Sequence, residues 1–297
     1  MTVTADTLTA SPVSAPRHGR RRITPMKTVQ FLLLLAFACA VLIPLYVVLV
    51  TSFKGGADVS AATAWDLPHI FSTEGWSSAI TRLAPALGRS LVLAISAAVL
   101  SSILGSLNGY VFAKWKFPGA DIVFTAFLFG MFIPYQAVMI PLQKMLLEIQ
   151  THGFAWIDGI PKLILVHTIY GIPICTLIFR NYYATAVPTE ILEAARVDGA
   201  GMLRIYWSIV LPVSIPGFVV TLIWQFTSAW NDFLFALFLT SPRNGPVTYA
   251  LQELAGGQNP DYPSIMAGVL VASLPTLLVY IALGRYFISG LMSGSVK

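Results

Sequence analysis

The sequence predicts an all-α, polytopic membrane protein: six transmembrane helices, with a cytoplasmic helix-turn-helix between the fourth and fifth. Three observations lead there. Only 10% of the 297 residues are charged and 56% are hydrophobic, whereas soluble domains carry about 25% charged residues. Mean hydropathy is +0.75. The apolar residues also gather into six runs, each meeting the roughly 20 residues that a helix needs to cross a bilayer.

Residues 1–27 are polar and end in Arg17, Arg20, Arg21, Arg22 and Lys27, the composition of a disordered cytoplasmic tail. The first apolar run, 28–52, exceeds the roughly 7–15 residues of a signal-peptide core. Phe37 fits poorly ahead of a lipoprotein cleavage at Cys39, so the run reads as a retained helix. A polar loop with Trp65 and Trp76 fills 54–86, and aromatics of this kind favour the membrane interface. The second span is 87–112, followed by a short basic linker. The third is 121–146, where Pro134 and Pro141 can break the helix. The fourth is 160–179. The fifth, 206–240, and the sixth, 265–288, are joined by a Pro/Gly/Asn-rich loop at 241–264. Twelve Lys and Arg fall on the side shared by the two termini and six on the other. The positive-inside rule therefore places both termini in the cytoplasm of a multi-pass cell-membrane protein. Residues 28–297 form one transmembrane domain.

Several function classes are excluded. Cys39 and Cys175 both lie in apolar runs and read as packing residues. His18, His69, His152 and His167 show no metal-ligand spacing, so no metal is assigned. No G-x-x-x-x-G-K-[ST] loop occurs, so the chain does not hydrolyse ATP by the P-loop route. No nucleophile–base pair supports an enzyme. The net charge of +5 follows membrane topology and does not imply nucleic acid.

The stretch 190–217 interrupts the apolar second half. Pro188 and Thr189 can open a helix, with Glu190 and Glu193 near its positive end. Ile191, Leu192 and Ala195 give it an apolar side, and the small pair Ala194 and Ala195 allows close approach. Gly199 and Gly201 suit a turn with φ > 0, and Met202 to Trp207 restarts the helix. The spacing is Glu193-Ala194-Ala195, three residues, Gly199, nine residues, Ile209, one residue, Leu211-Pro212. It resembles the EAA---G---------I-LP signature of the inner-membrane permease subunits of binding-protein-dependent ABC importers. Across roughly 28–297 the layout resembles the maltose-type sugar permeases. Glu193 to Ala200 and Trp230-Asn231-Asp232-Phe233 resemble the carbohydrate branch. Ile133 to Gln136 and Ile172 to Asn181 resemble its glucose/mannose-type members.

The resemblance implies a permease subunit of a carbohydrate importer, not an enzyme, paired with a second homologous permease as a heterodimer. Glu190, Glu193, Ala194, Ala195, Asp198 and Gly199 would couple it to a cleft on a separate ABC ATPase dimer. ATP and Mg would sit on that ATPase, with no cofactor on this chain. An extracellular sugar-binding protein would deliver the sugar, and the 241–264 loop would reach toward it. The competing reading is a stand-alone secondary transporter, weakened by few intramembrane carboxylates and no visible inverted repeat.

Polar and aromatic groups at membrane depth nominate a substrate pathway: Gln136, Trp224, Trp230, Asn231 and Asp232. Sugars are held by hydrogen bonds to their hydroxyls and by stacking on aromatic rings. Each also has a plainer reading. Asp232 can fix helix packing, and Gln136 can accompany a proline kink. Asn108 and His167 read as interhelical hydrogen-bonding residues, and Gly105 with Gly109 reads as a small-residue packing pair.

Overall fold

The computed structural model of the chain describes residues 25–60, 62–115 and 117–292, without side-chain detail at 25 and 285–292. The tail up to residue 24, with its arginines, and Lys297 lie outside the described residues. The chain divides into two compact units, 1–46 and 47–297. The first contains most of helix α1 (Pro25–Thr51). Its Phe31, Leu34 and Phe37 are exposed, an apolar surface suited to lipid tails.

In the second unit, helix α2 runs Glu74–Lys114. It begins well before the predicted 87, inside what reads as a polar loop. Ala79, Leu83 and Ala86 explain the correction: they recur at helical spacing and are all but fully buried, while Ser77, Thr81 and Arg82 face outward. The segment is amphipathic, so its average hydropathy hides a helix. Pro85 is accommodated within it.

The predicted third span is two helices. α3 (Ala120–Phe129) and α4 (Tyr135–Thr151) meet at 95° across a short 3₁₀ turn. The break falls at Ile133-Pro134, where Pro134 disfavours helix at the residue before it; Pro141 stays inside α4. α5 (Ile160–Ala186) starts at the predicted residue, behind Gly159 and with Pro161 in its first turn.

α6 (Thr189–Val197) is followed by α7 (Met202–Ile205), a π turn at Tyr206–Val210, and α8 (Leu211–Val213). The chain bends by 79° before α9 (Ile215–Asn231), so the expected fifth span is not one straight helix. α10 (Leu234–Leu239) follows after a break at Asp232. The expected loop 241–264 contains a helix, α11 (Val247–Ala255). Pro246 precedes it, the Val247 N–H donates to Ser90 Oγ at 2.7 Å, and Leu251 and Leu254 pack on the core. α12 (Tyr262–Met292) closes the fold. Four described helices, α1, α2, α5 and α12, are long and apolar enough to cross a membrane. With each bent pair counted as one span the number rises to six.

α2 and α5 form the central pair, in contact at a glycine seam. A Cβ on Gly105 would lie 2.3 Å from Cys175 Cβ, and one on Gly109 would lie 2.6 Å from Phe179 Cβ. Small residues let backbones approach where lipid supplies no hydrophobic drive for association. Three apolar clusters surround this pair. The first holds Leu83, Ala97, Phe226 and Trp230. The second holds Leu93, Leu163, Val166 and Phe235. The third holds Tyr110, Phe179, Tyr183, Leu192 and Tyr206.

Candidate functional site

The α6–α7 turn is built from its own backbone. Gly199 has φ +81°, the left-handed region. Its N–H donates to the Arg196 carbonyl at 3.0 Å, and the Ala200 N–H donates to the Ala195 carbonyl at 2.9 Å. This pair of bonds is a Schellman closure, with glycine at the position that needs φ > 0. Gly201, expected to share that conformation, has φ −73°; one left-handed residue is enough to turn the chain.

Leu192 is buried at 1% exposure, and Ala195 packs beside it on Tyr110, Tyr183 and Tyr206. Arg196 lies over the Trp115 ring at 4.3 Å and donates to the Lys114 carbonyl at 3.3 Å. These contacts anchor α6 to the end of α2. Behind them, Ser106 Oγ is 2.6 Å from the Tyr183 hydroxyl and 2.8 Å from the Tyr206 hydroxyl, and Tyr183 also meets Ser214 Oγ at 2.8 Å. Glu190, Glu193, Ala194, Asp198 and Gly199 face outward. The small pair is therefore split, with Ala194 outward and Ala195 inward. Ile191 and Val197 are exposed too, Val197 at 89%. The outer face of α6 thus combines carboxylates, a small residue and bare apolar side chains.

A second site is a cleft of about 510 Å³ between α4, α5, α9 and α10, within the roughly 300–1,000 Å³ of small-molecule sites. Of the predicted pathway residues it contains Trp224, Asn231 and Asp232. Trp230 is elsewhere: it is buried in the first apolar cluster, stacked on Phe226, and its Nε1–H donates to the Ala272 carbonyl at 3.0 Å. Gln136 is exposed and its neighbour Tyr135 lines the cleft instead. We expect Trp230→Phe to lower the melting temperature in detergent, because the indole bond between α9 and the part-buried Ala272 carbonyl of α12 is lost, at about 1 kcal/mol. An unchanged melting temperature would show that the Trp230 indole does not hold α9 to α12.

Asp232 is committed structurally. Its carboxylate accepts the N–H groups of Phe235 and Ala236 at 3.4 and 3.2 Å, and its carbonyl accepts from Thr248 Oγ1 at 2.6 Å. It therefore caps α10 and ties it to α11. It also faces His167, whose Nε2 lies 3.4 Å from Asp232 Oδ2. His167, Tyr170, Gln225 and Phe235 complete the cleft, with the Phe235 ring edge-on to His167. Gln225 Nε2–H donates to the His167 carbonyl at 2.9 Å. The signal for these residues was an isolated polar side chain in an apolar run, which at sequence level reads equally as helix packing. Asp232→Ala should lower stability by about 1–2 kcal/mol through loss of the cap, whereas Asp232→Asn, which retains an acceptor oxygen, should recover most of it. Thermal unfolding of the two variants checks this, and equal losses would show that the cap is not what matters.

Residues 101–291 match the family model described as binding-protein-dependent transport system inner membrane component. The chain is 38% identical to a probable ABC transporter permease protein of Pyrococcus horikoshii, over 93% of this chain and 99% of that one. It is 30% identical to the xylose/arabinose import permease protein of Haloferax volcanii, over 89% and 92%. Among solved structures, a bacterial ABC transporter involved in the import of the acidic polysaccharide alginate superposes with a TM-score of 0.73 at 20% identity, covering 93% of this chain and 100% of that chain. With the family match spanning most of the fold, the chain belongs to the binding-protein-dependent transport system inner membrane components, the permease subunits of ABC importers.

Proposed function

We propose that this multi-pass chain forms half of the membrane pore of a carbohydrate ABC importer, with α6 as the helix that docks on the ATPase. Permease subunits of this family are not enzymes; they work with a separate ATPase and a substrate-binding protein. The observation that carries the α6 assignment is its two-sided construction. Leu192 and Ala195 hold the helix to the body, while Glu193, Ala194 and the bare Ile191 and Val197 project from it. Exposed apolar side chains beside carboxylates on a short helix outside the long spans suit a protein cleft better than water.

In this reading the two bent pairs each count as one span. That makes six, with both termini and α6 in the cytoplasm, 28–297 as one transmembrane domain, 186–205 as its coupling loop and 241–264 as an outer loop. ATP and Mg bind the ATPase and not this chain. The second permease is a different, homologous chain. Sugar as cargo is supported by the likeness to a xylose/arabinose import permease and by the cleft itself. There, the Trp224 and Tyr170 rings stand near the polar groups of Asn231, Ser228 and Asp232, the combination that hydroxyl-rich ligands require.

Purification of the tagged chain from gently solubilised membranes, with mass spectrometry of its companions, tests the assembly. An ABC ATPase and a second permease of this family should co-purify, and a cysteine at 193 should cross-link to the ATPase. Recovery of the chain alone, under conditions where other membrane complexes survive, would overturn the proposal.

A further inference from the structure

At the mouth of two spans lies a separate cavity of about 280 Å³. It is bordered by Val47 and Thr51 in the last turns of α1, by Lys54, Val59 and Ala64 of the following loop, and by Met266 in the first turns of α12. Lys54 is 1% exposed. Its ammonium donates to the Thr63 carbonyl at 2.5 Å, and no carboxylate pairs with it among the described residues. The nearest acidic residue in sequence, Asp58, is turned to His69, accepting the His69 backbone N–H at 2.9 Å. A lysine ammonium offers three donors, and burying such a charge is costly unless it is paired. The loop that buries it is itself well held: the Phe53 ring stacks between Phe71 and Trp76, and Ser60 and Thr63 bond to each other.

Depth identifies what can supply the opposite charge. α1 ends at Thr51 and α12 begins at Tyr262, so the cavity lies at the ends of two helices whose length and hydropathy suit a bilayer. Lipid phosphates lie at that level. The walls formed by Val47, Val59 and Met266 are apolar, as an acyl chain requires, and the exposed Tyr262 and Trp65 nearby are the aromatics that favour the headgroup boundary. We propose that this cavity is a phospholipid site in which Lys54 pairs with the headgroup phosphate and the Val47–Met266 wall holds the start of an acyl chain. The bound lipid would brace the loop between α1 and α2 against the start of α12.

Native mass spectrometry of the full-length chain in its assembled complex tests this, after delipidation and addition of single lipids. Phosphatidylglycerol should bind about tenfold more tightly than a galactosyl diacylglycerol lacking phosphate, the value of one charge-assisted contact. In Lys54→Met the preference should disappear, and in Lys54→Arg it should survive. Millimolar inorganic phosphate should not displace the lipid, because the acyl wall contributes. Equal binding of the two lipids to the unaltered chain overturns the proposal, and needs no variant to fold. Displacement by inorganic phosphate alone would instead make this a simple anion site and refute the lipid assignment.

Discussion

Replacing Gly105 with valine is expected to abolish the folded, monodisperse chain in detergent. Even the first carbon of the new side chain has no room. It would lie 2.3 Å from Cys175 Cβ, 2.8 Å from the Cys175 carbonyl carbon and 2.9 Å from the Thr176 nitrogen. Ordinary carbon contacts sit at about 3.5–4.0 Å, so α2 and α5 must part by more than an ångström, and two of the three obstacles are backbone that cannot rotate away. At Gly109, one turn on, an added Cβ would lie 2.6 Å from Phe179 Cβ and 2.8 Å from the Arg180 nitrogen, so the two helices are in close contact there too and tilting toward that end gives little relief. Parting the helices also breaks the Ser106 bonds to Tyr183 and Tyr206; Tyr183 keeps Ser214, but the Tyr206 hydroxyl is left buried without that partner. Overpacking plus these losses amounts to at least about 3 kcal/mol. Gly88 is the internal control: it lies on the same helix, a Cβ there meets nothing within 4 Å, and Gly88→Ala should be neutral or stabilising by about 0.5–1 kcal/mol. Fluorescence-detected size-exclusion after a heat step reads both. A Gly105→Val chain that elutes and melts like the unaltered one would show that the two helices do not meet there.

Legibility differed between elements for physical reasons. The long apolar helices were readable because a bilayer demands length and hydropathy together, and α5 begins at Ile160 as expected. The start of α2 was not, because Ala79, Leu83 and Ala86 carry a one-sided pattern that an average dilutes. The Pro134 break was readable as a possibility, but its 95° angle is set by what α4 packs on: Leu93, Leu163 and Phe235 in the second cluster. The α6–Gly199 turn was legible because left-handed backbone and helix capping leave local marks. The cleft was legible only in part. Trp224, Asn231 and Asp232 lie close together in sequence, whereas Tyr135 and His167 reach them only through the packing of α4 and α5. Trp230 shows the opposite error: its neighbours in sequence line the cleft, but helical rotation turns it to the Ala272 carbonyl.

Gly199→Val is expected to reduce transport by the reconstituted importer to about a tenth or less while leaving membrane insertion and the body of the fold intact. The cause is backbone, not contact. A Cβ at Gly199 would meet nothing within 4 Å, so no neighbour is displaced. At φ +81° an L side chain is nevertheless strained by about 1–2 kcal/mol, and a β-branched one more. That strain opposes the closure in which Gly199 and Ala200 donate to Arg196 and Ala195, and each 1.4 kcal/mol is a factor of ten in its population. Because Gly199 is exposed and Leu192 anchors α6 independently, the loss should appear in the proposed docking of α6 and not in the melting of the bundle. The series sorts the mechanism: asparagine, which tolerates left-handed backbone, should transport best, then alanine, then valine. Co-purification of the ATPase should fall in the same order. If asparagine fails as badly as valine, the position is needed for a contact; if valine transports normally, the α6 turn does not couple this chain to its ATPase.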